Sequence, residues 1–348
     1  MRIPKNKLWV IVCAEAVVLL AFVLAMLWLW ERWLVPGPNG PVRWVGMDFV
    51  LFWVGVRAML TGQSPYSAAT TSVIQSTLLG GPPAPGGDPM LFVYPPWILV
   101  LILPLALLPL KWAAALWSGL LLSGMLHLIG YLAFRWGGRR PGRTILWALA
   151  LTAGCLPYLA IAATKGQLSL VSLGALFLAI RLARRRPGAA GLFLALAILK
   201  PTLTVLPTLG VLLWALFERK YRLLANFTLC LGILSLVCFL AVGNWIPDYV
   251  SMLGNTGGAP VLWSLEVLPW PWKILYALFF AVLVVYAFIT FLRRRDPARW
   301  FSATVLAGLA LFPMRWIYDL LLGILVPAEA ENIKGRIISI NRGERGKR

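Results

Sequence analysis

The chain has 348 residues, of which 60% are hydrophobic and only 13% are charged. A water-soluble globular domain is excluded, because too few polar side chains remain to cover its surface. Lys and Arg outnumber Asp and Glu by 32 to 12. In a soluble protein this excess of positive charge would suggest a nucleic-acid partner, but in a membrane protein its meaning depends on which side of the membrane it lies. The composition predicts an all-α, polytopic integral membrane protein.

About ten apolar segments are long enough, or nearly long enough, to cross a bilayer as helices. In chain order they cover residues 8–30, 112–134, 145–163, 168–180, 189–199, 202–217, 223–242, 272–292, 300–312 and 316–326. No small-residue cleavage pattern follows the first segment, so we predict a retained helix rather than a signal peptide. The chain is therefore predicted to be a multi-pass protein of the cell membrane.

Compact basic clusters lie in the short loops between these segments, at residues 135–143, 181–186, 219–222 and 293–299. Because Lys and Arg are retained on the cytoplasmic side during insertion, these loops and both termini are predicted to be cytoplasmic. Most of the positive charge is then explained by the topology of the chain. No basic patch interleaved with aromatic residues indicates a nucleic-acid partner. The basic residues left on the outer side are Arg32, Arg43, Arg57, Lys111, Lys165, Lys200, Lys273 and Arg315.

The apolar segment 91–110 would invert this arrangement if it crossed the membrane. It carries Pro95, Pro96, Pro104 and Pro109, each of which removes a backbone donor and disfavours a straight helix in lipid. We therefore predict that this segment forms an interfacial or re-entrant helix on the outer side.

The outer face is predicted to hold two long stretches, a first external segment at residues 31–111 and a second external loop at residues 243–271. Within the first, a Gly- and Pro-rich middle separates the proline-containing segment just described from residues 49–60. Both flanking segments are apolar and suit helices that lie on the bilayer surface. Residues 1–327 are predicted to form a single transmembrane domain, and residues 328–348 a polar, basic cytoplasmic tail.

The acidic residues are few enough to consider one at a time. Asp48 stands at the start of the apolar stretch GMDFVLFW, near the predicted membrane boundary. It is either a helix N-cap, whose carboxylate accepts hydrogen bonds from free backbone amides, or a general base between water and membrane. Asp319, in RWIYDLLLG, is either a polar group at a helix start or a site residue. His127 has no carboxylate nearby in sequence and is interpreted as a helix-packing residue.

Arg57, Lys165, Lys200 and Arg315 lie at or near span boundaries, where they either extend toward lipid headgroups or bind a phosphate. Lys165 in TKGQLS and Lys200 in LKPTL occupy turns between short spans, where an ammonium could face a shared cavity. The sequence contains no Walker loop, dinucleotide glycine fingerprint or HExxH motif, and its cysteines lack metal-type spacing. We therefore predict neither a metal nor a cofactor.

The order of several motifs along the chain is more specific than any one of them. They read MDFVLFWVGVRAMLTGQSPYS, FVYPPWILVLILPLALLP, TKGQLSLVSLGAL, GLFLALAILKPTLTVLP and FPMRWIYDLLLGILVP. Together with the N-terminal span, over roughly residues 8 to 327, they resemble glycosyltransferase family 87 (formerly DUF2029). The members of this family are polytopic glycosyltransferases of the GT-C type, related to the mycobacterial polyprenol-phosphate-mannose-dependent mannosyltransferases.

The resemblance implies a GT-C-like α-helical fold with its active site on the outer face of the membrane. It also implies a polyprenyl-phosphate-linked sugar as the donor and a lipid or glycan as the acceptor. By its position in the motif, Asp48 is implied to be the catalytic base of an inverting transfer of a mannose-like hexose.

This mechanism suggests further site residues. Stabilising the departing phosphate calls for fixed cations, and the four boundary cations named above are the candidates. Tyr66, Tyr94 and Gln167 are candidates for orienting the sugar or phosphate by hydrogen bonds, and Asp319 is a further candidate for substrate binding. The alternative is a non-catalytic membrane protein or a translocase of lipid-linked sugars.

Overall fold

In a computed structural model, the described residues are 5–85, 89–138 and 140–255, with six separate positions at 271, 274, 278, 282, 285 and 289. They fold mainly into α-helices. In chain order the elements are α1 (Lys5–Arg32), β1 (Leu34–Val35), β2 (Val42–Arg43), α2 (Met47–Leu60), α3 (Ala68–Leu79), α4 (Ile98–Ala106), α5 (Leu110–Gly137), α6 (Pro141–Lys165), α7 (Ser169–Leu182), α8 (Pro187–Ala197), α9 (Pro201–Phe217), α10 (Tyr221–Val242) and α11 (Ile246–Asn255). Within these described residues, the all-α prediction missed only the short antiparallel ladder of β1 and β2.

Three helices within the described ranges are long and apolar enough to cross a membrane, over Cys13–Arg32, Leu110–Phe134 and Tyr221–Val242. They coincide with three of the predicted spans. The apolar parts of α7, α8 and α9 are shorter than this. The three predicted spans after residue 271 fall almost entirely outside the described residues, so the total of about ten spans stays a prediction.

The chain divides into two compact units. Unit 1 contains Met1–Ile129, Leu159–Leu170 and Ser235–Thr256, while unit 2 includes Gly130–Tyr158 and Val171–Leu234. The predicted single domain over residues 1–327 and the predicted tail include residues outside the described ranges, and both stay predictions.

Helices α1 and α5 lie antiparallel in unit 1. Three contacts occur at equal steps along both helices: Lys111 Nζ with Glu31 Oε1 at 2.6 Å, Gly119 against Val23, and His127 Nε2 with Glu15 Oε1 at 2.7 Å. At Gly119 an added Cβ would lie 2.9 Å from the Val23 side chain, so the absence of a side chain lets the helices approach. His127 therefore packs against a neighbouring helix, as predicted, and its carboxylate partner comes from α1, 112 residues away in the sequence.

Helix α2 is surrounded by protein. Most of its residues are buried, including Phe49 and Phe52, and it packs against α3 and α4. At Gly55 an added Cβ would lie 2.5 Å from the ring of Phe92, so this side of α2 is closed as well. The sequence suggested a helix lying on the bilayer surface, but burial inside unit 1 accounts for the apolar character of α2.

The proline-containing segment 91–110 is broken, as its sequence predicts. Only nine residues form a helix, Ile98–Ala106, with Pro104 inside it. A helix of this length extends about 14 Å, which is too short to cross a hydrocarbon core of about 30 Å. The segment is therefore not a straight span, and its location at the outer surface stays a prediction.

Candidate functional site

Asp48 lies in the first turn of α2, but it does not cap the helix. The N-cap is Gly46, in the left-handed conformation with φ of 71°, and Asp48 is the second residue of the helix. The N-cap interpretation of Asp48 is therefore wrong. The side chain is half-buried and its Oδ2 is inaccessible to solvent. A carboxylate in the first turn interacts favourably with the positive end of the helix dipole.

The end of α6 carries the motif TKGQ in a tightly closed turn. The amides of Gly166 and Gln167 donate to the carbonyls of Ala163 and Ala162, at 3.1 and 2.8 Å, which is the Schellman pattern of a helix C-terminus. Gly166 has φ of 80°, and an added Cβ would lie 2.8 Å from Phe49 Cβ. Glycine is therefore required both by the turn and by the close approach of α2.

Hydrogen bonds join the start of α2 to the end of α6. The Gly46 N–H donates to the Thr164 carbonyl at 2.7 Å, and the Trp44 indole N–H donates to the Thr164 hydroxyl at 3.1 Å. The Trp117 indole N–H donates to the Gly166 carbonyl at 2.9 Å. Carbonyls left without intrahelical partners at a helix end are thus satisfied. We name this arrangement, residues 44–48 together with residues 164–167, the helix-end junction.

The helix-end junction brings together three of the predicted site residues. Asp48 is two residues beyond Gly46, while Lys165 and Gln167 flank Gly166. The Lys165 ammonium lies 4.5 Å from the centroid of the Trp44 ring, in cation–π contact. Lys165 is half-buried, and Gln167 is only 5% exposed. A carboxylate, an ammonium and an amide are therefore held on one hydrogen-bonded junction.

Tyr66 and Tyr94 lie together beside α2. The Tyr66 hydroxyl donates to the Tyr94 carbonyl at 2.8 Å. The Tyr94 ring packs edge-on against Phe52, with centroids 4.5 Å apart. Phe52 follows Asp48 by one helical turn, so the two share a face of α2. The structure therefore places the Tyr94 ring next to the face that carries Asp48.

The Tyr66 hydroxyl has a structural role in this arrangement. Burial, and after it the neighbouring Tyr249 side chain, raises the pKa of Tyr66 far above its usual value. Burial also raises the pKa of Tyr249, whose ring centroid is 5.5 Å from that of Tyr66. The hydroxyl proton of Tyr66 is committed to the Tyr94 carbonyl, which leaves only its oxygen lone pairs for a substrate.

Helix α11 is attached to this aromatic region by hydrogen-bond and aromatic contacts. The Ser64 hydroxyl donates to Asp248 Oδ2 at 2.6 Å. Trp97 and Trp245 pack edge-to-face, with ring centroids 5.9 Å apart. Asp248 is exposed and lies in the first turn of α11. Its hydrogen bond therefore connects α11 to the segment that contains Ser64.

Arg57 is not part of the helix-end junction. It follows Asp48 by nine residues along α2, which corresponds to about 13 Å along the axis and about half a turn around it. Its guanidinium lies 4.6 Å from the centroid of the Trp53 ring, at the other end of the helix. The structure therefore separates Arg57 from Asp48.

The remaining candidates lie elsewhere. Lys200 is the N-cap residue of α9 in unit 2, where it is 8% exposed and its carbonyl accepts the Thr204 hydroxyl at 3.1 Å. Arg315 and Asp319 lie outside the described residues. Within the described parts of the chain, no group of three or more His, Cys, Asp or Glu could hold a metal ion.

The residues that build the helix-end junction were not predicted from the sequence. Trp44 and Thr164 are 120 residues apart, and neither stood out as a candidate. The available signals were the two glycines beside candidate residues, Gly46 before Asp48 and Gly166 after Lys165. Such glycines often mark a turn or a close backbone approach.

Comparison with known proteins gives one match. The model of glycosyltransferase family 87 matches residues 92–314. This range contains Tyr94, Lys165, Gln167 and Lys200, whereas the segment with Asp48 precedes it. No curated protein and no solved structure matched the chain. Because the family match covers well over half of its length, the chain belongs to glycosyltransferase family 87, a family of membrane glycosyltransferases.

Proposed function

We propose that the chain transfers a mannose-like hexose from a polyprenyl-phosphate donor to a lipid or glycan acceptor on the outer face of the membrane. The helix-end junction would be the reaction centre. The observation that carries this proposal is the hydrogen bond of 2.7 Å between the Gly46 amide and the Thr164 carbonyl. This bond ties the helix start carrying Asp48 to the turn carrying Lys165 and Gln167.

Asp48 would act as the general base. Its carboxylate takes the proton of an acceptor hydroxyl, whose oxygen forms a bond to the anomeric carbon of the donor sugar. The bond between that carbon and the lipid phosphate breaks, and the phosphate leaves with the electron pair. Attack opposite the leaving group inverts the anomeric carbon. The half-buried position of Asp48 at a helix start supports this role, because it limits water around the carboxylate.

Lys165 would stabilise the charge on the departing phosphate. An ammonium acts on phosphate as a point charge, and a fixed cation contributes most where charge develops in the transition state. The Trp44 ring, 4.5 Å from the ammonium, supports a restricted position. Gln167 would donate its amide N–H groups to the sugar or phosphate, and Tyr94 would form a wall beside Asp48.

The other candidates would have different parts in the reaction. We place Arg57 outside the reaction centre because of its distance along α2. Tyr66 would hold the Tyr94 segment in position. Lys200, Arg315 and Asp319 stay candidates for binding the donor phosphate.

The test uses the purified chain in lipid, with polyprenyl-phosphate hexose and a set of glycolipid acceptors. We expect Asp48→Asn to lower the transfer rate by about 100-fold or more. Asp248→Asn is the matched control, because Asp248 is also an acid in the first turn of a helix of unit 1. Undiminished transfer in Asp48→Asn would show that the base is misassigned. If the wild type never consumes the donor, a translocase or non-catalytic protein replaces the transferase proposal.

The outer-face location is tested separately by cysteine labelling in intact cells. In a variant without native cysteines, Lys165→Cys should react with a membrane-impermeant reagent applied outside. Arg185→Cys, in a basic loop of the predicted cytoplasmic side, should react only after the membrane is opened. The reverse pattern would overturn the proposed orientation.

A further inference from the structure

A cavity lies beside the start of α2. Its volume is about 270 Å³, and its lining includes Trp30, Arg43, Val45, Val50, Thr77 and Leu110. This volume equals that of roughly nine water molecules and is close to the lower limit of small-molecule sites, about 300 Å³. The cavity has room for a headgroup and the first carbons of a chain.

The lining of this cavity contains none of Asp48, Lys165 and Gln167, although Val45 belongs both to the lining and to the helix-end junction. Val50 follows Asp48 by two residues, so their side chains leave α2 about 200° apart. Arg43 and Val45 line the cavity, whereas Trp44 between them is not a lining residue and donates its indole N–H to the Thr164 hydroxyl.

Positive charge is concentrated around Glu31, the residue that follows the lining residue Trp30. Lys111, Arg43 and Arg32 all act electrostatically on the Glu31 carboxylate. The carboxylate is engaged by Lys111 at 2.6 Å. Three cations around one acid leave an excess of positive charge that favours an anion.

Arg43 is the cation of this group that lines the cavity. Its guanidinium lies 5.6 Å from the centroid of the Trp30 ring, which is itself part of the wall. Arg32 is instead directed to Trp28, with its guanidinium 4.7 Å from the ring centroid and 3.4 Å from the carbonyl. Arg32 and Arg43 therefore provide a matched pair of arginines in the same electrostatic surroundings, one at the cavity and one outside it.

The walls of the cavity and its position suit an amphiphile. The lining combines polar residues, Arg43 and Thr77, with apolar residues such as Val45 and Val50. Two lining residues belong to the ends of helices that are long and apolar enough to cross a membrane: Trp30 near the end of α1 and Leu110 at the start of α5. The cavity therefore lies at the level where spans end and lipid headgroups begin.

We infer that this cavity binds the phosphate group of a membrane lipid. Arg43 forms paired charge-assisted hydrogen bonds to the phosphate oxygens, for which the planar guanidinium is suited. The first carbons of the lipid lie against the apolar lining residues, such as Val45 and Val50. This site is distinct from the reaction centre proposed at Asp48, since the lining of the cavity contains none of Asp48, Lys165 and Gln167.

The test measures lipid binding to the full-length protein in a neutral detergent by native mass spectrometry. The probes are dioctanoyl phosphatidic acid, dioctanoylglycerol and glycerol 3-phosphate. We expect the wild type to bind phosphatidic acid, and Arg43→Gln to bind it about tenfold more weakly. Arg32→Gln should bind like the wild type. Equal binding by the wild type and Arg43→Gln would overturn the inference.

The probes also separate the sources of the phosphate. Dioctanoylglycerol lacks the phosphate and should bind weakly, while glycerol 3-phosphate lacks the acyl chains and should also bind weakly. If either binds as tightly as phosphatidic acid, the lipid-phosphate assignment fails. Thr77→Phe is a second variant at an exposed position, where the new ring would fill the cavity. Thr77→Phe should reduce phosphatidic acid binding, and it keeps the inference testable if Arg43→Gln does not fold. If Thr77→Phe binds phosphatidic acid as tightly as the wild type, the inference is also overturned.

Discussion

The backbone N–H of Gly46 donates to the Thr164 carbonyl at 2.7 Å, and this bond joins the start of α2 to the end of α6. Gly46 also lies close to α5, where an added Cβ at Gly46 would be 2.6 Å from Ala114 Cβ. The two helix ends therefore depend on a glycine with a positive φ at this position.

Gly46→Ala should destabilise the protein by about 2–4 kcal/mol. This loss combines the cost of a left-handed conformation for alanine with the cost of overpacking against Ala114. Gly62→Ala is the matched control, because Gly62 has φ of 73° but open space around it, and it should cost only about 1–2 kcal/mol. Thermal unfolding of the purified variants measures both. Equal losses would show that the contact with Ala114 is unimportant.

Lys165→Gln and Arg57→Gln should differ sharply in transfer rate. Both cations lie over a tryptophan ring, at 4.5 and 4.6 Å, so each loses a similar cation–π contact of about 0.5–1 kcal/mol. We expect Lys165→Gln to lower the rate about 100-fold, as loss of a charge-stabilising group does. Arg57→Gln should stay within about threefold of the wild type, because an exposed cation contributes little by itself. A similar loss in both variants would contradict the assignment of Lys165.

Glu15 and His127 should be coupled in a double-mutant cycle. Interhelical hydrogen bonds in membranes are worth about 0.6 kcal/mol on average and up to about 1.7 kcal/mol. We expect the cycle of Glu15→Ala and His127→Ala to give a coupling in this range from unfolding data. Glu31 and Lys111 are the comparison, because they join the same two helices at a span end. The coupling energy of Glu31 with Lys111 should decrease as salt is added, because salt screens exposed ion pairs. The coupling energy of Glu15 with His127 should not change with salt.

Tyr66→Phe should destabilise the protein by about 1–2 kcal/mol between pH 7 and 9, because the Tyr94 carbonyl loses its donor. The pKa of Tyr66 is raised in the folded state, so its stabilisation is complete below the unfolded pKa of about 10 and decreases above it. The difference in unfolding temperature between the wild type and Tyr66→Phe should therefore narrow above about pH 10. Tyr221→Phe, at an exposed position, is the control and should show no such narrowing. A constant difference for Tyr66 would contradict the raised pKa.

Much of the overall organisation could be predicted from local features of the sequence. Composition excluded a soluble domain, and apolar length predicted the three candidate spans that the structure describes. Prolines predicted the break in residues 91–110, because each removes a backbone donor wherever it stands in a fold. The order of motifs indicated glycosyltransferase family 87, and the family match confirms it.

The candidate site was predictable only in part. Asp48, Lys165 and Gln167 were recognised as separate candidates, but their common attachment to the helix-end junction was not. Arg57 was expected in the same site, although α2 holds it at the opposite end. Residue type shows which chemistry a side chain can do, and only helix geometry shows which side chains can do it together.

The sequence by itself determined that this chain is a helical membrane protein of a glycosyltransferase family, because hydropathy, prolines and motif order are local properties. The tertiary structure alone decided that Gly46 meets Thr164, that Glu15 meets His127, and that Arg43 lines a cavity away from Asp48. Each of these contacts joins residues on different elements of the fold. Their approach depends on how helices pack, which no local pattern specifies.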